Sequence, residues 1–140
     1  MAKQSDFTGN IKKYGCLWFS LVNIAEEMCG CKLSHANVLH MYKHLQDRGY
    51  MDKQCFVKDH SAVINEALSY MICPEIRAVY TGAQYLDKLY KSWGASEGSY
   101  IILQVKTEFV PGHFLRFNYN PYYPPSKILG VRSVRYYEIK

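Results

Sequence analysis

The stretch NIKKYGCLWFSLV (residues 10–22) decides how the chain is read. From Cys16 onward the apolar positions Leu17, Leu21, Ile24, Ala25 and Met28 recur at steps of three and four, with Val22 broadening the stripe. That is the period of an amphipathic helix, and Gly30 stands where helices stop. Gly15 lets the chain turn immediately before Cys16. A thiol at a helix N-terminus meets free backbone N–H groups and the positive end of the helix dipole, which favour the thiolate. The same position also suits a cysteine buried as a small hydrophobe. Position alone leaves both readings open.

Working outward, Ser34 is an N-cap residue type. It opens a second helix with Val38, Leu39, Tyr42 and Leu45 on its apolar face and Gly49 closing it. A third helix starts at Asp59 or Ser61, with Val63, Ile64, Ala67, Leu68 and Met71 inward, and Pro74 breaks it. The second half changes period. Residues 76–80, 99–106, 113–119 and 131–139 read as strands, residues 84–93 as a short helix carrying Leu86, Leu89, Tyr90 and Trp93 on one side, and NPYYPPSK as a proline-punctuated loop. Helices first and strands last predict an α+β fold, a helical half packed on a C-terminal antiparallel sheet. The 140 residues suit a single domain, 1–140.

Composition narrows the function classes. Hydrophobic residues are 49% and charged residues 21%, as in folded globular proteins. Thirteen tyrosines can line grooves as well as fill a core. The net charge of +5 is scattered, with only Lys12-Lys13 and the tail residues Arg132 and Arg135 clustering. No nucleic-acid motif accompanies it, so no specific nucleic-acid partner is expected. The N-terminus lacks an apolar signal core and no run reaches a membrane span. The expectation is therefore a cytoplasmic protein without a membrane span, export by lysis or another route remaining open. Five cysteines cannot all pair within one chain, and free thiols are expected. Cys29-Gly30-Cys31 is too tightly spaced for a zinc hook, and no metal or other cofactor is expected.

A cysteine nucleophile needs a base and a group to orient that base. His35, His40, His44 and His60 lie in the helical half. His40 and His44 share a helix face and could meet a metal, but no HExxH motif surrounds them, and solvated surface histidines are the plainer reading. His113 follows Pro111-Gly112 and opens the apolar strand HFLRF, a position from which an imidazole can face a cleft. The orienting candidates are Asn118, Asn120, Glu108 and Glu138. Asn120 is held extended by Pro121, and Asn118 lies two residues before it on the same strand face. For an oxyanion, the backbone N–H of Cys16 is one donor. Asn10, six residues upstream, and Gln4, twelve upstream, offer side-chain amides.

GCLWFSL at a helix start, a late GHFLRF strand and a following NP together resemble the papain-like cysteine peptidase superfamily. Small bacterial peptidases similar to bacteriocin-leader peptidases are the nearest branch, and the chain also resembles uncharacterised spirochaete plasmid and prophage families. The resemblance covers the order of elements over most of the chain. It implies Cys16 as nucleophile, His113 as base, Asn120 as orienting residue with Asn118 as fallback, and Asn10 at the oxyanion position. It further implies a cleft lined by Trp18, Tyr122 and Tyr123, with Trp93 as a further aromatic. Asn10 is one methylene shorter than the family's glutamine. The third member is Asn rather than the Asp of the leader-peptidase branch, and only seven residues separate His113 from Asn120, where the family places a hairpin. Two functions follow as expectations. The first is a thiol hydrolase cleaving a peptide, protein or peptidoglycan amide bond, with transferase or deamidase chemistry open to the same residues. The second is a catalytically inactive fold that binds a protein or peptide.

Overall fold

The computed structural model describes residues 2–73, 75–90, 100–107, 113–116 and 128–140. Its element order is a 3₁₀ turn (Gln4–Asp6), α1 (Gly9–Tyr14), α2 (Cys16–Cys29), α3 (His35–Asp47), α4 (His60–Tyr70), β1 (Ala78–Tyr90), β2 (Tyr100–Thr107), β3 (His113–Arg116) and β4 (Ile128–Ile139). Helices precede an antiparallel sheet, as α+β requires. The chain forms two compact units, residues 1–79 with 139–140, and residues 80–138.

The helical unit is built around α2. Every residue of α2 from Trp18 to Glu26 is buried. Trp18, Leu21, Val22, Ile24 and Ala25 pack in a core that also holds Val38, Met41 and Leu45 of α3 and Val63, Ile64, Ala67 and Leu68 of α4. A helix buried all round must satisfy any polar side chain it carries. Asn23 and Glu26 form such a pair. The Glu26 carboxylate accepts from the Ala2 amide at 3.1 Å, from Leu33 N at 3.0 Å and from Asn23 Nδ2 at 2.8 Å, while Asn23 Nδ2 also donates to Ala2 O at 3.1 Å. This knot ties the N-terminal segment and the α2–α3 loop to the central helix.

The helix ends follow the sequence signals. Gly30 takes the left-handed conformation, φ 74°, at the α2 C-cap. Ser34 and Asp59 cap α3 and α4 by accepting from Asn37 N and Ala62 N. The cysteines depart from expectation. Cys29 and Cys73 form a disulfide with Cα atoms 6.2 Å apart, joining the end of α2 to the segment after α4. Cys16, Cys31 and Cys55 are not in disulfides. Cys29 therefore belongs to a long-range cross-link, a pairing that spacing alone does not reveal.

The sheet unit has strand order β1-β4-β2-β3. β2 pairs antiparallel with β4, setting Leu103 opposite Val134 and Val105 opposite Val131, and with β3, setting Val105 opposite His113. One face buries Ile101, Leu103, Val105, Val131 and Val134, with Leu86 and Tyr136 against them. The other carries a polar thread: Arg135 donates to Ser133 Oγ at 2.6 Å, Ser133 Oγ donates to Gln104 Oε1 at 2.7 Å, and the Arg135 guanidinium lies 4.6 Å from the Phe114 ring centroid.

Residues 84–90 are strand, not the expected helix, because β1 runs unbroken through them. β1 lies beside β4 in the sheet, with side-chain bonds between the two strands: Thr81 Oγ1 donates to Tyr136 O and Tyr136 Oη to Gln84 Oε1. Gly82, read as a turn, sits inside the strand at φ 137°, a conformation that bends a strand without ending it. No helix among the described residues is long and apolar enough to cross a membrane.

Candidate functional site

Gly15 seats Cys16. It caps α1, its N–H bonding Ile11 O at 2.9 Å, and it begins α2, its carbonyl accepting from Phe19 N at 2.8 Å. Its φ of −79° is open to any residue. Space is what demands glycine, since a Cβ here would lie 2.4 Å from Ile11 O and 3.4 Å from the Phe19 ring. Cys16 thus opens a rigid, fully packed helix with its thiol half-buried. Its carbonyl accepts from Ser20 Oγ at 2.8 Å.

A tight loop, residues 51–57, stands beside this corner. Met51 and Val57 bridge it. The Asp52 carboxylate accepts from Gln54 N at 2.8 Å and Phe56 N at 3.0 Å. Asn10 Nδ2 donates to Lys53 O at 3.1 Å, and the Tyr42 hydroxyl donates to the same carbonyl. Asn10 therefore anchors this loop to α1. Cys55, at the loop's turn with φ 60°, directs its sulfur at Asn10 O, 3.9 Å away. Burial, then the charges of Asp52 and Cys16, pushes the Cys55 thiol up to about 12, so it stays protonated and unreactive. Of the three cysteines outside the disulfide, Cys55 is inert, Cys31 is exposed and Cys16 is half-buried.

Gln4 fills a structural post. Its amide donates to Ile11 O at 3.2 Å and Lys12 O at 2.8 Å, stapling the 3₁₀ turn to α1. Trp18, expected in a cleft, is instead a core side chain with 0% exposure, its ring against Phe19 and Tyr42. A fully buried side chain of that size fills core volume and presents no surface to a substrate. Its indole N–H has no acceptor among the described residues.

In the sheet unit, His113 begins the short outer strand β3. Its ladder partner is Val105, so by strand alternation it shares the apolar face of Leu103 and Ile101. Burial among these groups lowers its pKa to about 4. The imidazole is neutral at physiological pH. Asn118, Asn120, Tyr122, Tyr123, Trp93 and Glu108 lie outside the described residues.

The site residues missing from the sequence reading are Cys55, Tyr42 and the Lys53 carbonyl. No spacing rule links them to Cys16, because the loop's fold, fixed by Asp52, brings Lys53 and Cys55 there, and Tyr42 meets the Lys53 carbonyl from α3. Among the described residues no group of three or more His, Cys, Asp or Glu side chains could hold a metal ion.

What these observations define is an α+β protein with a half-buried thiol at the head of its central helix and a neutral, buried imidazole opening an outer strand. The chain belongs to the DUF261 family, described as a protein of unknown function, whose model matches residues 1–121. The matched span includes Asn10, Cys16, His113 and Asn120 and stops short of Tyr122. No curated protein and no solved structure matches the chain.

Proposed function

We propose that this chain is a papain-like thiol hydrolase acting on a peptide, protein or peptidoglycan amide bond. The observation that carries the reading is the mounting of Cys16: a half-buried thiol, in no disulfide, on the first residue of a rigid helix, behind a glycine with no room for a Cβ. Cys16 Sγ attacks the amide carbonyl while neutral His113 takes the thiol proton. His113 then protonates the leaving amine, leaving an acyl-thioester at Cys16. Water, deprotonated by His113, attacks the thioester and releases the acid and the thiol. Asn120 orients the imidazole, with Asn118 as its substitute. The Cys16 backbone N–H is the first oxyanion donor, and Asn10 reaches that role only by giving up the Lys53 carbonyl. The Cys29–Cys73 bond favours an oxidising location over the cytosol for this activity.

The engagement of Asn10 with Lys53 O is the one observation that favours the second reading, an inactive fold that binds peptides. Turnover in H₂¹⁸O separates the two. Incubated with a mixed pool of peptide amides and muropeptides, the protein should place ¹⁸O in new carboxyl groups, and Cys16→Ser should place none. Equal ¹⁸O uptake by Cys16→Ser rules out Cys16 as nucleophile, and no uptake by either leaves the binding reading.

A further inference from the structure

The α3–α4 pair carries two histidines that the hydrolase reading does not use. His40 and His44 sit one turn apart on α3, exposed and half-exposed, with ring centroids 5.2 Å apart. Each ring hands its Nδ1 to a residue of α4. His44 Nδ1 lies 3.1 Å from Glu66 Oε1, and His40 Nδ1 lies 2.5 Å from the Tyr70 hydroxyl. Arg48 NH1, 3.3 Å from Glu66 Oε2, fixes that carboxylate in turn and has its charge matched by it. Glu66 and Tyr70 are also one turn apart, so two parallel rungs join the helices.

These rungs decide the tautomer. An ionised carboxylate only accepts, so neutral His44 places its proton on Nδ1 and leaves a lone pair on Nε2. Tyr70 accommodates the same tautomer at His40. Neither Nε2 has a hydrogen-bond partner among the described residues. A carboxylate on one imidazole nitrogen with the other left basic is the support that metal-binding histidines use.

The ring spacing fits as well. With a metal–nitrogen bond of about 2.0–2.1 Å, each ring centroid lies about 3.2 Å from a bound zinc ion, and a tetrahedral angle then sets the centroids about 5.2 Å apart. The observed separation is 5.2 Å.

We infer that His40 and His44 form a surface site for a borderline divalent cation, zinc in the first instance, bound through the two Nε2 atoms and completed by water. Glu66 is its positioning residue, acting through the His44 ring. With no third protein ligand among the described residues, the site binds at micromolar rather than nanomolar concentrations and keeps open positions.

The test is a zinc chloride titration of the full chain carrying Cys31→Ser, which removes the exposed thiol, followed by calorimetry and by imidazole ¹⁵N shifts. One equivalent of zinc should bind, moving the Nε2 signals of both histidines. His40→Ala and His44→Ala should each weaken binding more than tenfold, and Glu66→Gln about tenfold. Magnesium, a hard cation, should shift neither ring. Both histidine variants alter exposed side chains, and circular dichroism checks that they fold. Unchanged zinc affinity in the two histidine variants, or no binding by the parent at millimolar zinc, overturns the assignment.

Discussion

Replacing Gly15 with alanine tests the corner that mounts Cys16. The added Cβ would lie 2.4 Å from Ile11 O, a backbone atom that already accepts the Gly15 N–H at 2.9 Å. A carbonyl inside a capped helix cannot rotate away, so the α1–α2 junction must open or the Phe19 ring must shift. Overpacking of this kind costs about 1–3 kcal/mol. The lost flexibility of the unfolded chain returns roughly 0.4–1 kcal/mol, leaving a net loss of about 1.5 kcal/mol. At a urea m-value of about 2 kcal/mol/M, the midpoint should fall by roughly 0.8 M. Gly30→Ala is the comparison. No atom lies within 4 Å of its Cβ, but its φ of 74° is left-handed, so it loses about 1 kcal/mol for a different reason. Urea melts of both variants, read beside the Cys16 alkylation rate, separate the causes. Both variants lose stability, and only Gly15→Ala changes Cys16 labelling in the remaining folded protein. A Gly15→Ala midpoint equal to wild type, with unchanged labelling, refutes the steric argument.

Three further outcomes follow from buried or cross-linked groups. His113 has a folded-state pKa of about 4 against 6.5 for the free side chain, so the unfolded state binds its proton first. Its stabilising effect is complete above pH 6.5 and is lost as pH falls toward 4, about 2.5 kcal/mol by pH 4.5. Urea melts at pH 7.5 and 4.5 should show a smaller acid loss for His113→Gln than for wild type, and equal losses refute it. The Cys29–Cys73 bond closes a loop across a separation of 44 residues. Its removal by Cys29→Ser should cost about 4 kcal/mol by loop entropy, and a non-reducing peptide map should recover the pair directly. Glu26→Gln sets an amide N–H₂ against donors the carboxylate now receives, costing about 2 kcal/mol and lowering Tm by about 6 °C. An unchanged melting curve would show that the knot contributes nothing.

The helical half was legible in the sequence because its signals are local. Ser34, Asp59, Gly30 and Gly49 stand at the helix ends where their side chains or positive φ are used. Residues 84–90 misled because Leu86, Leu89 and Tyr90 match a helical period, whereas the deciding interaction is pairing with β4, some fifty residues away. Cys73 is similar: nothing near it announces Cys29 as a partner. The placement of the candidate residues divides along the same line. That Cys16 begins a helix could be read from a few letters, and that His113 begins a strand from the apolar run after it. The Asn10–Lys53–Tyr42 knot depends on a loop whose shape comes from the Asp52 carboxylate capping its own backbone, with Cys55 in a left-handed conformation that residue type rarely signals. Nothing local marks Asn23 and Glu26 as partners, and only the burial of α2 from Trp18 to Glu26 turns them into a buried network.

The central claim is that Cys16 is an activated thiol served by His113, and the chain holds its own control in Cys31, an exposed free thiol. The deciding measurement is the iodoacetamide alkylation rate of each cysteine from pH 5.5 to 9, resolved by peptide mass spectrometry, in wild type and His113→Ala. Cys16 should outpace Cys31 at pH 6.5 despite its lower exposure, and His113→Ala should return it to the profile of an ordinary thiol with a pKa of about 8.5. A Cys16 that reacts more slowly than Cys31 throughout, with the same profile in both proteins, contradicts the account.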